Sequence, residues 1–168
     1  MRREAEKECR QMISGDQYWM GRDGEYSADL TEQVRGNAAL LLERVNRLLA
    51  IAAEEHVEPG IDAHTGTFVA SGWRPKPVND ITANAGKRSR HLFGLAIDLR
   101  DSLPERPLAR WCLRNQDLLE ETGLWMEDPR WTPNWVHLQA VPPGSGRRVY
   151  VPSTDPALVA ALPEQTVV

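Results

Sequence analysis

The sequence predicts an α+β fold, a single small domain in which a central, mostly antiparallel sheet is flanked by helices. Three observations support this prediction. A long segment near the start repeats apolar residues at helical spacing, several later segments have the composition of short strands, and strands and helices do not alternate strictly along the chain. The length of 168 residues suits one such domain.

The first predicted element is an amphipathic helix over residues 31–55. Asp29 or Thr31 could cap its start, and Asn46 is a polar residue at the flank of its apolar stripe. The stripe recurs every three or four positions, as one buried helix face requires, and consists of Val34, Ala38, Leu41, Leu42, Val45, Leu48, Leu49 and Ala52.

Short strands are predicted after this helix, and turns rich in proline and glycine separate several of them. A loop rich in asparagine, glycine and basic residues runs from the first strand to Arg90, and a second helix is predicted from Pro104 to a stop at Gly123. Cys112 is a predicted core residue of that helix. The predicted strands are residues 67–73, 94–100, 124–127, 134–141 and 148–152.

Residues 30–152 form the predicted domain. Residues 1–29 are polar and are predicted to be an irregular N-terminal arm, which includes Cys9 as a free thiol, and residues 153–168 are predicted to be a short helix or a loose tail. The formal net charge of −4 gives no global attraction to nucleic acid or to an anionic membrane. No run approaches the roughly 18 apolar residues of a membrane span, and no secretory signal is visible, so we expect a protein made in soluble form in the cytoplasm.

Two histidines and one aspartate are candidate metal ligands. His91 and Asp98 lie within Ser89-Arg90-His91-Leu92-Phe93-Gly94-Leu95-Ala96-Ile97-Asp98, and His137 follows in Trp135-Val136-His137. Three ligands of these types leave one position of a zinc ion open, as catalytic zinc sites do, whereas structural sites are usually closed by four ligands. Each histidine could instead be a hydrogen-bonded core or surface residue.

Strand alternation explains why Asp98 stands where it does. Leu95, Ile97 and Leu99 point to one face of the predicted strand, whereas Ala96 and Asp98 point to the other. A small neighbour leaves room in front of the carboxylate, and a buried carboxylate needs a partner, for which a divalent metal ion is suitable.

The chain resembles the M15 family of zinc D-alanyl-D-alanine peptidases over about residues 67–140 and the preceding helix. The resemblance is carried by the segment Ser71-Gly72-Trp73-Arg74 and by a motif made of Ser89, His91, Gly94, Ala96, Asp98, Trp135 and His137. It implies that His91, Asp98 and His137 bind one Zn²⁺ ion.

The resemblance also implies roles for residues around the metal. Arg74 would hold substrate through its guanidinium fork, although it could equally be a surface arginine, and Ser89 would support the site or be an ordinary loop serine. Trp73 and Trp135 would line the pocket or belong to the core. The basic run 87–90 would attract an acidic substrate or be a solvated loop.

One position departs from the family. In much of the family a Glu or Asp three residues before the last histidine moves the proton during hydrolysis, and here that residue is Asn134, which cannot act as a base. Glu127 or Asp128 could take this role by folding back towards the metal. Either could instead belong to a solvated turn or a salt bridge to Arg130.

The resemblance therefore implies a zinc metallopeptidase that hydrolyses peptidoglycan peptides, as a D-Ala-D-Ala carboxypeptidase or a phage-type cross-bridge endopeptidase (an endolysin). It would act in the cytoplasm, on the cell wall after phage-assisted delivery, or in a virion. The alternative, motivated by Asn134 and the N-terminal arm, is a non-catalytic zinc-binding virion or structural relative that has lost its base. A metal-dependent nuclease is disfavoured because no basic stripe with interleaved aromatic residues runs along the chain.

Overall fold

Five short strands of the computed structural model, which describes residues 12–152, form one sheet in the order β1-β2-β4-β3-β5. Neighbouring strands are antiparallel, except that β3 and β5 are parallel. The predicted α+β class is confirmed. The strands are β1 (Val69–Ser71), β2 (Ala96–Arg100), β3 (Trp125–Glu127), β4 (Trp135–Gln139) and β5 (Val149–Tyr150).

Six α-helices and one 3₁₀ helix accompany the sheet in the described part of the chain, and none of them is long and apolar enough to span a membrane. The 3₁₀ helix is Arg90–Phe93. The α-helices are α1 (Gly15–Trp19), α2 (Arg22–Glu25), α3 (Glu32–Glu54), α4 (Lys76–Ile81), α5 (Pro107–Arg114) and α6 (Gln116–Glu121).

Helix α3 supplies one wall of the core. The Thr31 hydroxyl caps its start by accepting a hydrogen bond from the Val34 amide at 3.2 Å. Except for half-buried Leu42, the predicted apolar stripe is buried, and it belongs to the same core cluster as Ile97, Leu99 and Leu138 of the sheet. The opposite face of β2 and β4 carries Asp98 and His137 instead, so the helix leaves that face for the candidate site.

The N-terminal segment differs from its prediction. Residues 12–29 are not irregular, because a capping box between Ser14 and Gln17 starts α1 and the ring of Tyr18 is fully buried. Asn46 of α3 accepts a hydrogen bond from the Ile13 amide at 2.8 Å and donates one to the Ile13 carbonyl at 3.0 Å. A side chain at the flank of the stripe therefore fastens this segment to the core. Cys9 and the predicted tail at 153–168 lie outside the described residues.

The second predicted helix is also corrected. It begins at Pro107 rather than Pro104, because the Asp101 carboxylate accepts hydrogen bonds from the amides of Leu108 and Ala109 and so caps α5 there. Non-helical backbone at Asn115 separates α5 from α6. Cys112 is buried in the core, as predicted, and burial raises the pKa of its thiol to about 12.

The predicted loop between β1 and Arg90 contains a helix. Residues 75–81 include two prolines and an asparagine, which are typical of a loop. Pro75 nevertheless stands at the N-cap of α4, and Pro77 lies in the first turn, where the missing backbone N–H costs no hydrogen bond. Gly94 then ends the 3₁₀ helix in the left-handed conformation, with φ of 71°.

We expect Gly94→Ala to destabilise the fold. A Cβ there would lie 2.6 Å from the Val34 carbonyl oxygen and would have to adopt positive φ, which together cost about 2–4 kcal/mol. Gly36→Ala is the matched control, since Gly36 is exposed inside α3 with nothing within 4 Å, and it should stabilise the protein by about 1 kcal/mol through helix propensity. Urea unfolding of both variants measures the difference, and equal stabilities would contradict the close contact between α3 and Gly94.

Candidate metal centre

His91 reaches the site from the 3₁₀ helix that precedes β2. The Ser89 side chain caps this short helix by accepting a hydrogen bond from the His91 amide, and Gly94 ends it one turn later. The His91 side chain is fully buried. The Ser-x-His spacing and the glycine therefore place an imidazole at the entrance of the strand that carries Asp98.

Three acidic or imidazole side chains lie in a row across neighbouring strands. Asp98 on β2 pairs directly with His137 on β4, and Met126 on β3 pairs with Leu138 on β4. Continuing that second register by one residue places Glu127 across from His137. Directly paired residues share a face of the sheet, so Asp98, His137 and Glu127 lie side by side on the face that α3 leaves uncovered.

His91, Asp98 and His137 form a group that could bind a metal ion, with one ligand atom of each within 4.8 Å of the others. Asp98 Oδ1 lies 3.3 Å from His91 Nε2 and 2.7 Å from His137 Nδ1. Ligand atoms around a tetrahedral zinc ion with bonds of 2.0–2.2 Å are about 3.4 Å apart. The first separation already matches this value, and the second needs to widen by less than an ångström.

The hydrogen bonding of His91 favours a metal ion. Its Nδ1 lies 2.7 Å from the Gly72 carbonyl oxygen, and because a carbonyl can only accept, Nδ1 carries the proton and Nε2 presents a lone pair. Nε2 is buried without a hydrogen-bond partner and faces the carboxylate oxygen of Asp98. Two hydrogen-bond acceptors, His91 Nε2 and the Asp98 carboxylate oxygen, therefore face each other without a proton between them, and a cation bound to both would relieve their repulsion. A backbone carbonyl that fixes the tautomer is also the usual support of a metal-binding histidine.

The charges of the three groups are strongly coupled. Burial works to raise the pKa of Asp98, but the neighbouring imidazoles of His91 and His137, the second of which is hydrogen-bonded to it, hold that pKa well below its usual range. Burial lowers the pKa of His91 against the opposing charge of Asp98. Burial also works to lower the pKa of His137, but the hydrogen bond to Asp98 and the charge of Asp98 outweigh this effect, so the pKa of His137 is raised. Asp98 is therefore an ionised carboxylate, as a metal ligand must be.

Arg74 and Ser89 lie beside this group and contact each other. The Arg74 guanidinium donates from Nη2 to Ser89 Oγ at 3.0 Å, while its buried Nε has no hydrogen-bond partner. Burial lowers the pKa of Arg74, and the nearby charge of Asp98 opposes that shift. Ser89 therefore contacts both the Arg74 guanidinium and the backbone amide of His91.

The two candidate bases differ in their surroundings. The Asp128 carboxylate accepts hydrogen bonds from the backbone amide, Nε and Nη2 of Arg130. It therefore forms the salt bridge to Arg130 that was one of the alternatives for this residue in the sequence. Glu127 is half-buried and lies close enough to His137 and Asp98 for their charges to affect its pKa. Burial raises that pKa, with His137 opposing and Asp98 adding to the shift. Glu127 therefore lies beside His137 and Asp98, whereas the carboxylate of Asp128 is engaged by Arg130 in its own turn.

The remaining predicted residues lie around the rim or in the core. Asn134 is exposed, and its carbonyl accepts from the Asp101 amide. Half-buried Trp135 lies two residues before His137 on the same face of β4, as a pocket wall requires. Trp73, in contrast, is buried and packs edge-on against Trp19, so it is a core residue. Lys87, Arg88 and Arg90 are exposed.

Sequence reasoning missed several residues that support the site. The Tyr18 hydroxyl donates to the Ala96 carbonyl at 3.1 Å, and burial, with the charge of Asp98 adding to it, strongly raises the pKa of that phenol. The Tyr150 hydroxyl on β5 donates to Gln139 Oε1 at 2.8 Å. Nothing in the local sequence marks either contact, because the partners are 78 and 11 residues apart.

Comparison with family models, with characterised proteins and with solved structures gave no match.

We expect the protein to bind one equivalent of Zn²⁺, measured by elemental analysis and by competition with a chromophoric chelator. His91→Ala and Asp98→Asn should each weaken binding by more than about 100-fold, because losing even an outer partner of a metal ligand costs 10–100-fold. His64→Ala, which removes an exposed histidine, should leave the affinity unchanged. Unchanged stoichiometry and affinity in His91→Ala would contradict the assignment, and stoichiometric iron instead of zinc would contradict the identity of the metal.

Proposed function

We propose that this protein is a zinc-dependent metallopeptidase that hydrolyses peptidoglycan-type peptides, as a D-Ala-D-Ala carboxypeptidase or a cross-bridge endopeptidase. The observation that carries the proposal is the row of Asp98, His137 and Glu127 on three neighbouring strands, with His91 beside it. This row combines a set of metal ligands with a separate half-buried carboxylate that is not one of them. Hydrolysis of a peptide bond needs both parts.

Each part has a role in hydrolysis. His91, Asp98 and His137 would hold the zinc ion, which would act as a Lewis acid that polarises a carbonyl group and lowers the pKa of a water molecule. Glu127 accepts a proton from the attacking water as its oxygen bonds to the carbonyl carbon of the substrate. Glu127 then passes that proton to the nitrogen of the leaving amine as the C–N bond breaks. The raised pKa of Glu127 suits this exchange, because a base that must later act as an acid works best with a pKa near the working pH.

Arg74 orients the substrate in this proposal. Its guanidinium is held by Ser89 and has a buried Nε without a partner, so it retains donor capacity for a carbonyl or carboxylate oxygen. The choice of peptidoglycan-type peptides rests on the resemblance of the motif to the M15 peptidases. The exposed basic residues Lys87, Arg88 and Arg90 next to His91 are compatible with the acidic groups of such peptides.

A second candidate function is a zinc-binding virion or structural relative without catalysis. Two observations favour it. Asn134 occupies the position of the family's usual base and is exposed, and Asp128 is engaged by Arg130. In this reading Glu127 is only a half-buried neighbour of the ligands.

The first experiment compares Glu127→Gln with the unmodified zinc-loaded protein on purified peptidoglycan fragments, with products identified by mass spectrometry. Glu127→Gln should lower kcat by about 10²–10⁴-fold, the usual contribution of a general base, while zinc binding stays within a few-fold. Glu105→Gln is the control, since Glu105 is an exposed residue remote from β3 in sequence, and it should keep full activity.

The outcome also separates the two functions. Turnover by the unmodified protein that survives in Glu127→Gln would contradict the assigned base. If the zinc-loaded protein cleaves no fragment and Asn134→Glu creates cleavage, the non-catalytic function is correct, because that substitution restores a carboxylate at the family's position.

A further inference from the structure

Two successive peptide groups around Trp73 connect the N-terminal segment to His91. In the first, between Gly72 and Trp73, the Trp73 amide donates to the Tyr18 carbonyl at 3.3 Å, and the Gly72 carbonyl accepts from His91 Nδ1 at 2.7 Å. The N–H and C=O of a trans peptide point in opposite directions. Tyr18 therefore holds one side of this peptide group while the His91 imidazole is held by the other.

The second peptide group, between Trp73 and Arg74, repeats the arrangement with the backbone of His91. Its carbonyl accepts a hydrogen bond from Arg22 Nη1 at 2.6 Å, and its N–H donates to the His91 carbonyl at 3.1 Å. The imidazole and the main chain of His91 are thus each hydrogen-bonded to one of these two peptide groups. The opposite side of each peptide group is hydrogen-bonded to the N-terminal segment.

The close approach of the two segments is specific to the residue types present. A Cβ on Gly72 would lie 1.9 Å from the Tyr18 carbonyl oxygen, so only glycine permits this contact. The Trp19 and Trp73 rings pack edge-on with centroids 5.9 Å apart, and the Tyr18 ring is fully buried. The peptide groups of residues 72–74 therefore cannot rotate without disturbing packed side chains on the N-terminal side. Chains of hydrogen bonds through peptide groups also polarise one another.

We propose that Tyr18 and Arg22 are positioning residues of the metal centre, which act through these two peptide groups to hold His91 with Nε2 directed at the metal. The inference rests on the proposed metal site. An outer partner that fixes the tautomer and orientation of a metal-binding histidine typically contributes 10–100-fold in metal affinity. Here that support comes from a segment more than 60 residues earlier in the chain, which the family motif does not include.

The test uses two variants of the full chain that differ in one donor. Arg22→Met keeps the apolar stem and removes the donor to the Trp73 carbonyl, whereas Arg22→Lys keeps a donor. We expect Arg22→Met to weaken zinc binding by about 10–100-fold and Arg22→Lys to recover most of this loss. Arg35→Met, an exposed arginine on α3, is the control and should bind zinc like the unmodified protein. Competition titration gives the affinities, and melting of the metal-free forms shows whether stability changes in parallel.

A second measurement begins with the unmodified protein, so its main result does not depend on how the variants fold. Long-range ¹H–¹⁵N spectra of the unmodified, metal-free protein should show His91 with its proton on Nδ1, and Arg22→Met should broaden or shift that signal. An Nε2-protonated His91 in the unmodified protein would overturn the proposal, as would equal zinc affinities of the Met and Lys variants. If the unmodified protein binds no zinc, the proposed metal site is wrong. If it binds zinc and Arg22→Met has the same affinity, the metal site stands and only the positioning role of Arg22 is wrong.

Discussion

The site depends on one buried carboxylate. Asp98 stands on an inner strand of the sheet, is nearly fully buried and is ionised. A carboxylate in that position is costly unless positive or hydrogen-bond-donating groups surround it. The direct pairing of β2 with β4 brings His137 against this carboxylate, and the 3₁₀ helix brings His91 against the same oxygen atom. The sheet register and the turn before β2 are therefore constrained by the same requirement.

The two faces of the sheet differ, since one packs in the hydrophobic core and the other carries the candidate metal ligands. Ile97, Leu99 and Leu138 belong to the core that contains α3, and this packing fixes the register because a slip of one residue would reverse every side chain. The same register sets Asp98, His137 and Glu127 side by side on the other face. The placement of these three side chains therefore follows from the hydrophobic pattern of the residues that alternate with them and face the core.

Most of the architecture was predictable because it follows from short-range patterns. The stripe of α3, the alternation around Asp98 and the turns between strands each lie within a few residues in sequence. Besides the N-terminal segment, two elements were predicted wrongly. Prolines near Lys76 are typical of a loop, yet here they open α4. Pro104 could start a helix, but the capping carboxylate of Asp101 selects Pro107. In both cases the local sequence is compatible with more than one structure, and contacts with the rest of the fold decide which one forms.

The sequence named His91, Asp98 and His137 as candidate metal ligands, through their residue types and the family resemblance, and the structure brings the three side chains together. The sequence left the choice between Glu127 and Asp128 open, and the structure distinguishes them through the pairing of β3 with β4 and the salt bridge to Arg130. The local sequence does not reveal the contacts of Tyr18, Arg22 and Asn46. Each is a hydrogen bond across 33 or more residues, and such partners are decided only when packing brings distant segments together.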